Sequence, residues 1–377
     1  MTAHPSKALH RGSSVTESHD PGYAPPASLS AGKPAAGASR LGPVCIITGQ
    51  SDPTADRIIL ALERQHVPVV RFDLADFPGS LRLSANIEHG AVTGELLTPE
   101  GRCVPLETVR SILWWHPGMP YIPLGLPEPE RAWARDEATA GLVGVLAALD
   151  CDHVNPPASS QAAQNKAITL LAAARCGLPV PRFWIGNSLT GAQEFASSEP
   201  VVCKSLVAPY IEYDDGGVAN FFTTPVKRSD LDDSISLTAH KLQRAVSKQG
   251  GEIRLTIIGD SYFAAHITAH SPASRRDFRA DYPALSYESV EVPAPVREGI
   301  ARLMEHLGLT YAACDLLVDR DGRWWLVDVN PTGQYGWIEE ALPGYGVSEA
   351  IAERLAHPPR ARVQSSPLAD EPSRADA

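Results

Sequence analysis

The six cysteines (Cys45, Cys103, Cys151, Cys176, Cys203 and Cys314) contain no CxxC pair, and the twelve histidines contain no HExxH. That spread argues against a zinc site or a disulfide framework and fits reduced, mostly buried thiols. GxxxxGK followed by Ser or Thr is missing, as is GxGxxG. A nucleotide, if bound, is therefore held without a P-loop or a Rossmann fingerprint. No run approaches the ~18 apolar residues of a membrane helix; Gly141–Leu149 comes nearest. The N-terminus has no apolar signal region, so the expected location is cytoplasmic. Bases are outnumbered, 33 to 44, for a net charge of −11, which speaks against nucleic-acid or anionic-membrane partners.

Hydrophobic residues make up 44% of the 377 and charged ones 20%, a globular balance with room for two or three domains. Residues 1–41 are rich in Ala, Pro, Ser and Gly and are expected to form a disordered extension; residues 357–377 repeat that composition. Val44–Thr48, a helical pattern from Ala55 to Gln65, and Val67–Phe72 predict a β–α–β unit. Strands at Leu81–Ile87, Ala91–Leu97 and Ser111–Trp115 continue it, followed by a long helix over Arg131–Leu149. Asn155-Pro156-Pro157 breaks any helix. It divides an α/β domain, 42–153, from a second domain, 154–356.

The second domain reads as α+β. It opens with one helix over Ser160–Arg175, stopped at Cys176-Gly177. A strand at Pro200–Ser205 precedes a polar loop or hairpin, Ile211–Phe222, and a poorly amphipathic or irregular stretch, Leu231–Leu242. Glu252–Ile258 and Ser261–Ile267 form a hairpin turning at Gly259-Asp260. An amphipathic helix, Val296–Leu307, ends at Gly308. Two strands, Tyr311–Val318 and Arg323–Val329, close the domain.

Asp328 and Asn330 alternate on the last strand, so they share a face about 6.5 Å apart. A hairpin would bring Asp315 alongside Asp328. Three oxygen donors converging from adjacent strands suit Mg²⁺, which shares its shell with phosphates. Taken singly, the same residues also fit a hydrogen-bonded carboxylate and a turn asparagine. Lys204 ends an apolar strand, Lys166 lies within the first helix of the domain, and Arg254 is central in its strand. Buried cations need anions, and either structural acids or a nucleoside triphosphate would serve. Arg275-Arg276-Asp277-Phe278-Arg279 is a basic run that could be a solvated face. The pairs Trp114-Trp115 and Trp324-Trp325 read as packing residues.

Asn155-Pro156, Lys166, Gly177–Pro181, Lys204, Glu252-Ile253-Arg254 and Asp315…Asp328-x-Asn330 fall in the order seen in ATP-grasp enzymes. The stretch from Asp328 to Glu339 is similar to that of the microviridin-type maturases, which cross-link ribosomally made precursor peptides (graspetides). The resemblance covers about residues 44–355. It implies an α/β and α+β architecture: an ATP-grasp fold, with a lid subdomain at about 180–245, behind a small α/β pre-ATP-grasp domain. It implies ATP and Mg²⁺ as cofactors and a precursor peptide, leader and core, as partner; a homodimer is compatible with it.

Carried over by motif, Lys166 and Lys204 would contact phosphates, and Gln243, Ala245 and Val246 would lie in the adenine hinge. Glu252 would bind ribose, Arg254 would stabilise the transferred phosphate, and Asp315, Asp328 and Asn330 would hold the metal. Asp277 and Arg279 would meet the peptide, with Asp277 the one guess for a general base. Ser205–Asn220 would form a lid, with Gly216-Gly217 as its pivot. Asp328 departs from many ATP-grasp enzymes, which carry the longer Glu there. The implied activity is ligation of Asp or Glu side chains, through acyl phosphates, to Ser/Thr hydroxyls or Lys amines. Two other readings stay open: an amino-acid or glutathione-synthetase-like ligase, and a non-catalytic, nucleotide-gated peptide-binding protein.

Overall fold

Val44–Thr48 is buried at every position, as a parallel strand covered on both faces requires. The computed structural model describes residues 42–359 apart from 124, 208, 209 and 214–216. The 1–41 extension, most of the 357–377 tail and Gly216 thus lie outside the described residues. The chain opens with β1 (Val44–Thr48), α1 (Pro53–Arg64), β2 (Val69–Phe72), β3 (Arg82–Glu88), β4 (Ala91–Leu97), β5 (Cys103–Pro105), β6 (Ser111–His116), α2 (Glu130–Ala147) and β7 (Asp152–Val154). A parallel sheet runs in the order β2-β1-β6-β7. Strands β3, β4 and β5 do not extend it; they form an antiparallel sheet of their own. His89 and Gly90 both take positive φ, 52° and 77°, giving the tight two-residue turn that folds β3 back on β4.

The helix expected over Ser160–Arg175 is two helices, α3 (Pro157–Gln164) and α4 (Lys166–Arg175). Asn165 is extended and its side chain caps α4, accepting from the Ala167 and Ile168 N–H groups. A capping asparagine competes with the continuous helix and wins here. Lys166 therefore starts a helix rather than lying within one.

Next come β8 (Phe183–Gly186), α5 (Leu189–Ser198), β9 (Val201–Lys204), β10 (Tyr210–Glu212), β11 (Val218–Asn220), β12 (Thr224–Val226) and β13 (His240–Arg244). Their main sheet has the order β12-β9-β13-β8, and β10 and β11 form a separate hairpin. The irregular stretch of the sequence thus ends in a central strand.

The rest comprises β14 (Glu252–Ile258), β15 (Ser261–Ala269), α6 (Pro272–Arg276), β16 (Leu285–Val290), α7 (Ala294–Leu307), β17 (Tyr311–Val318), β18 (Trp324–Asn330), α8 (Gly336–Ala341) and α9 (Val347–Ala356). An antiparallel sheet runs β16-β15-β14-β17-β18. Its inner face buries Leu255, Ile257, Cys314 and Leu326 against Ile300, Leu303 and Leu307 of α7. Full burial of each large aliphatic side chain contributes about 2 kcal/mol. Gly308 takes φ 62° to close α7, a left-handed cap that favours glycine.

The C-terminal α9 returns to the first sheet. Ile351 and Leu355 share a core with Ile58, Leu62, Trp115 and Tyr311, and Trp115 meets Tyr311 edge-on at 5.1 Å. Trp114, Trp115 and Trp324 are buried, while Trp325 lies under the guanidinium groups of Arg323 and Arg244. Among the described residues no helix is long and apolar enough to cross a membrane.

Candidate active site

The registers of three strands build one wall of the site. Arg254 of β14 pairs with Asp315 of β17, and Asp315 pairs with Asp328 of β18. Arg254 Nη1 donates to Asp315 Oδ1 at 2.8 Å, and its Nη2 to the Gln334 carbonyl at 2.7 Å. The close approach needs Gly333: a Cβ there would sit 2.6 Å from Arg254 Nη2. Burial opposes the charge on Arg254, but Asp315 outweighs it and raises the pKa. Lys166 forms an ion pair with Asp328 Oδ1. Burial would raise the Asp328 pKa, yet Lys166, with Lys241 and Lys204 behind it, holds it down. The Oδ2 atoms of Asp315 and Asp328 have no hydrogen-bond partner among the described residues.

Asn155 secures the end of this wall. Its Nδ2 donates to the carbonyls of Tyr311 and Pro331 at 2.8 and 2.9 Å. Its Oδ1 accepts from the Thr310 and Tyr311 N–H groups at 2.7 and 2.9 Å. The buried amide thereby fixes where Asn330 ends β18. From the other side, His116 Nε2 lies 2.8 Å from the Thr332 carbonyl and Nδ1 2.8 Å from Asp52 Oδ2. Asp52 caps α1; burial works against its ionisation, but hydrogen bonds from His116 and Ala55 N–H hold its pKa at about 2.

The opposite wall is the β12-β9-β13-β8 sheet. Lys204 and Lys241 are direct cross-strand partners, and both face a cavity of about 630 Å³ that also reaches Lys166, Asp315, Asp328 and Asn330. Neither ammonium has an ion-pair or hydrogen-bond partner among the described residues. Burial lowers the Lys204 pKa although Asp328, Asp315 and Glu252 pull the other way. Burial, with Lys204 next, pushes Lys241 down to about 8. Beyond them the Ala245 N–H is already used, donating to the Pro200 carbonyl at 2.8 Å. Gln243 Oε1 is buried without a partner, and Val246 lines the same cavity. Glu252 pairs with Lys248; burial nonetheless raises its pKa.

Asp277 and Arg279 form a two-pronged pair, Nε–Oδ1 2.8 Å and Nη2–Oδ2 2.6 Å. Asp277 also accepts from the Thr223 N–H at 3.2 Å, tying the segment after the β10–β11 hairpin to this pair. Burial disfavours its charge, but Arg279 prevails and holds the pKa at about 2. A carboxylate that far down, with both oxygens engaged, is a weak base at neutral pH. Its geometry is that of an anchor for Arg279.

Asp315, Asp328 and Asn330 are thus brought together, with Lys166, Lys204 and Arg254 around them, and Glu252, Gln243, Val246, Asp277 and Arg279 open onto the same cavity. Sequence reasoning missed Lys241, His116 and Asp52. Alternation of Lys241 with Gln243 was the available signal for the first. For the other two it was their place at the carboxyl ends of parallel strands, where such sheets expose their crevice.

Among the described residues, no three His, Cys, Asp or Glu side chains cluster as a metal cage. Two carboxylates with one free oxygen each, beside an asparagine, make a partial all-oxygen set. That fits Mg²⁺, which completes its shell with phosphate oxygens and water.

No family model matches the chain, and no curated protein matches it in sequence. Solved structures do. Macrocyclase MdnC bound with precursor peptide MdnA, from Microcystis aeruginosa, superposes with a TM-score of 0.71 at 25% identity, over 83% of this chain and 98% of that one. A RiPP-associated ATP-grasp ligase from Chryseobacterium gregarium, in complex with ADP and a leader and core peptide, gives 0.74 at 23% identity, over 84% and 96%. This chain has the ATP-grasp ligase fold. D-cycloserine synthetase DcsG shares it more distantly, with a TM-score of 0.53 at 15% identity over 83% of this chain and all of that one. The fold agrees with the ATP-grasp resemblance read from the sequence, and ATP and Mg²⁺ are the cofactors that go with it.

Proposed function

We propose that this ATP-grasp chain is a peptide ligase that joins Asp or Glu side chains of a ribosomally made precursor to Ser/Thr hydroxyls or Lys amines of the same peptide. The observation that carries the reading is the cross-strand pair Asp315–Asp328, compensated on one side by Arg254 and Lys166 and open on the other toward unpaired lysines. Lys166 and Lys204 hold the phosphates, Gln243 to Val246 form the adenine edge, and Glu252 takes the ribose. Asp315, Asp328 and Asn330 would hold Mg²⁺, which supplies charge neutralisation at the phosphates. Arg279, fixed by Asp277, meets the peptide carboxylate.

In the chemistry this serves, a carboxylate oxygen attacks the γ-phosphorus and ADP departs, leaving an acyl phosphate. A hydroxyl or amine then attacks the acyl carbon, loses its proton, and inorganic phosphate leaves. Arg254 is placed to offset charge on the transferred group. Ser205, Leu206 and Val207 line the cavity, where they help keep water from the acyl phosphate. The domain division follows the same reading: a 42–153 unit behind a 154–356 ATP-grasp unit, with α9 tying the two.

Incubation with ATP, Mg²⁺ and candidate precursors tests this by mass: each link removes one water from the peptide as one ADP forms. Unchanged peptide, with ADP formed only on adding free amino acids, would instead support the small-substrate ligase reading that the likeness to DcsG keeps in view.

A further inference from the structure

The ATP-grasp reading assigns two lysines to the phosphates, yet the cavity wall carries a third that no part of that reading uses. Lys241 is only 2% exposed, lies on β13, one of the two inner strands of its sheet, and stands directly across from Lys204. No ion-pair or hydrogen-bond partner among the described residues meets it, and Asp328, out of contact, attracts it less than Lys204 repels it. A desolvated ammonium with no counter-charge is costly, and a second ammonium beside it adds repulsion. Natural cores seldom keep such a pair without a ligand that uses it. Gln243, two residues on and on the same face of β13, lies about 6.5 Å further toward the adenine edge. Arg254 and Asp315 belong to the opposite sheet, where the transferred phosphate goes.

We infer that Lys241 is a phosphate-binding residue, forming with Lys204 a cross-strand clamp for the phosphates that remain on ADP rather than for the one transferred. The inference rests on the ATP-grasp reading of the cavity. A clamp on the non-transferred phosphates binds ATP and ADP alike, so it acts on nucleotide affinity and leaves the chemical step alone. Unliganded, it is a liability to the fold, because the charge is buried for the ligand's sake.

Lys241→Met keeps the length of the stem and removes the charge. Calorimetric titration should show ATP and ADP binding weakened alike, by about ten- to a hundredfold, the worth of a charge-assisted contact. Adenosine binding should not change. Lys241→Arg should recover part of the loss. The unliganded Lys241→Met protein should melt at a higher temperature than the parent, while its stabilisation by ADP shrinks. Undiminished ADP affinity, or a lower melting temperature with adenosine and ADP weakened equally, would overturn the assignment. If the parent chain bound no nucleotide at all, the ATP-grasp reading itself would fail.

Discussion

The two sheets that face each other across the cavity handle charge in opposite ways. On the β14–β17–β18 side, Asp315 meets Arg254, Asp328 meets Lys166, and Glu252 meets Lys248. On the β9–β13 side, Lys204 and Lys241 stand together with no carboxylate in contact. The first wall is nearly neutral within the protein and can hold its geometry without a ligand. The second is completed only by an anion. On the proposed function, preorganisation on one side and unmet charge on the other would let the site take a polyphosphate while the reacting end stays rigid.

The largest effect should come from breaking the neutral wall. Arg254→Met leaves Asp315 half-buried without its cation; we expect loss of ATP turnover and a stability loss of about 3 kcal/mol, read by ADP release and by denaturant unfolding. Asp328→Asn should also abolish turnover, but with a smaller stability change, because the Lys166–Asp328 pair is more exposed than Arg254–Asp315, with Asp328 itself about a third exposed. Equal turnover in parent and Asp328→Asn would place the chemistry elsewhere. Asn155→Ala removes four hydrogen bonds, three of them buried, and should cost about 3 kcal/mol by urea denaturation, with turnover falling because Asn330 loses its anchor. A protein of unchanged stability would show that the end of β18 is held by other contacts.

The cationic wall should be sensitive to pH. A bound polyphosphate raises the pKa of Lys241 from about 8, so nucleotide binding takes up a proton once the pH exceeds that value. ADP affinity is then full below pH 8 and falls above it, up to about tenfold per pH unit. Flat affinity between pH 7 and 10 would erase the contrast between the walls. The smallest effect concerns the Asp277–Arg279 pair. Its carboxylate, at about 2 when folded against 3.8 ordinarily, adds about 2 kcal/mol above pH 3.8 that disappears as the pH falls through 2. Asp277→Asn should flatten that part of the acid-unfolding curve.

How much of this was legible in the sequence follows from which contacts are local. The hairpin turning at Gly259-Asp260, the stop of α7 at Gly308 and the Asp315–Asp328 register all come from short-range pattern, and each lies where the spacing puts it. Lys241 was hidden because His240–Arg244 becomes a strand only between β8 and β9, partners about 40–60 residues away in sequence. The break at Asn165 was hidden by an Ala-rich pattern that continues through it. The return of α9 to the first sheet depends on packing across most of the chain, and no local signal carries that.

The account stands on transfer of a carboxylate oxygen to phosphorus within this cavity. The direct measurement uses a precursor peptide whose Asp and Glu side-chain carboxylates carry ¹⁸O, with mass analysis of the phosphate released as links form. The account predicts one labelled oxygen in each phosphate for each link made. Linked peptide accompanied by unlabelled phosphate would contradict it.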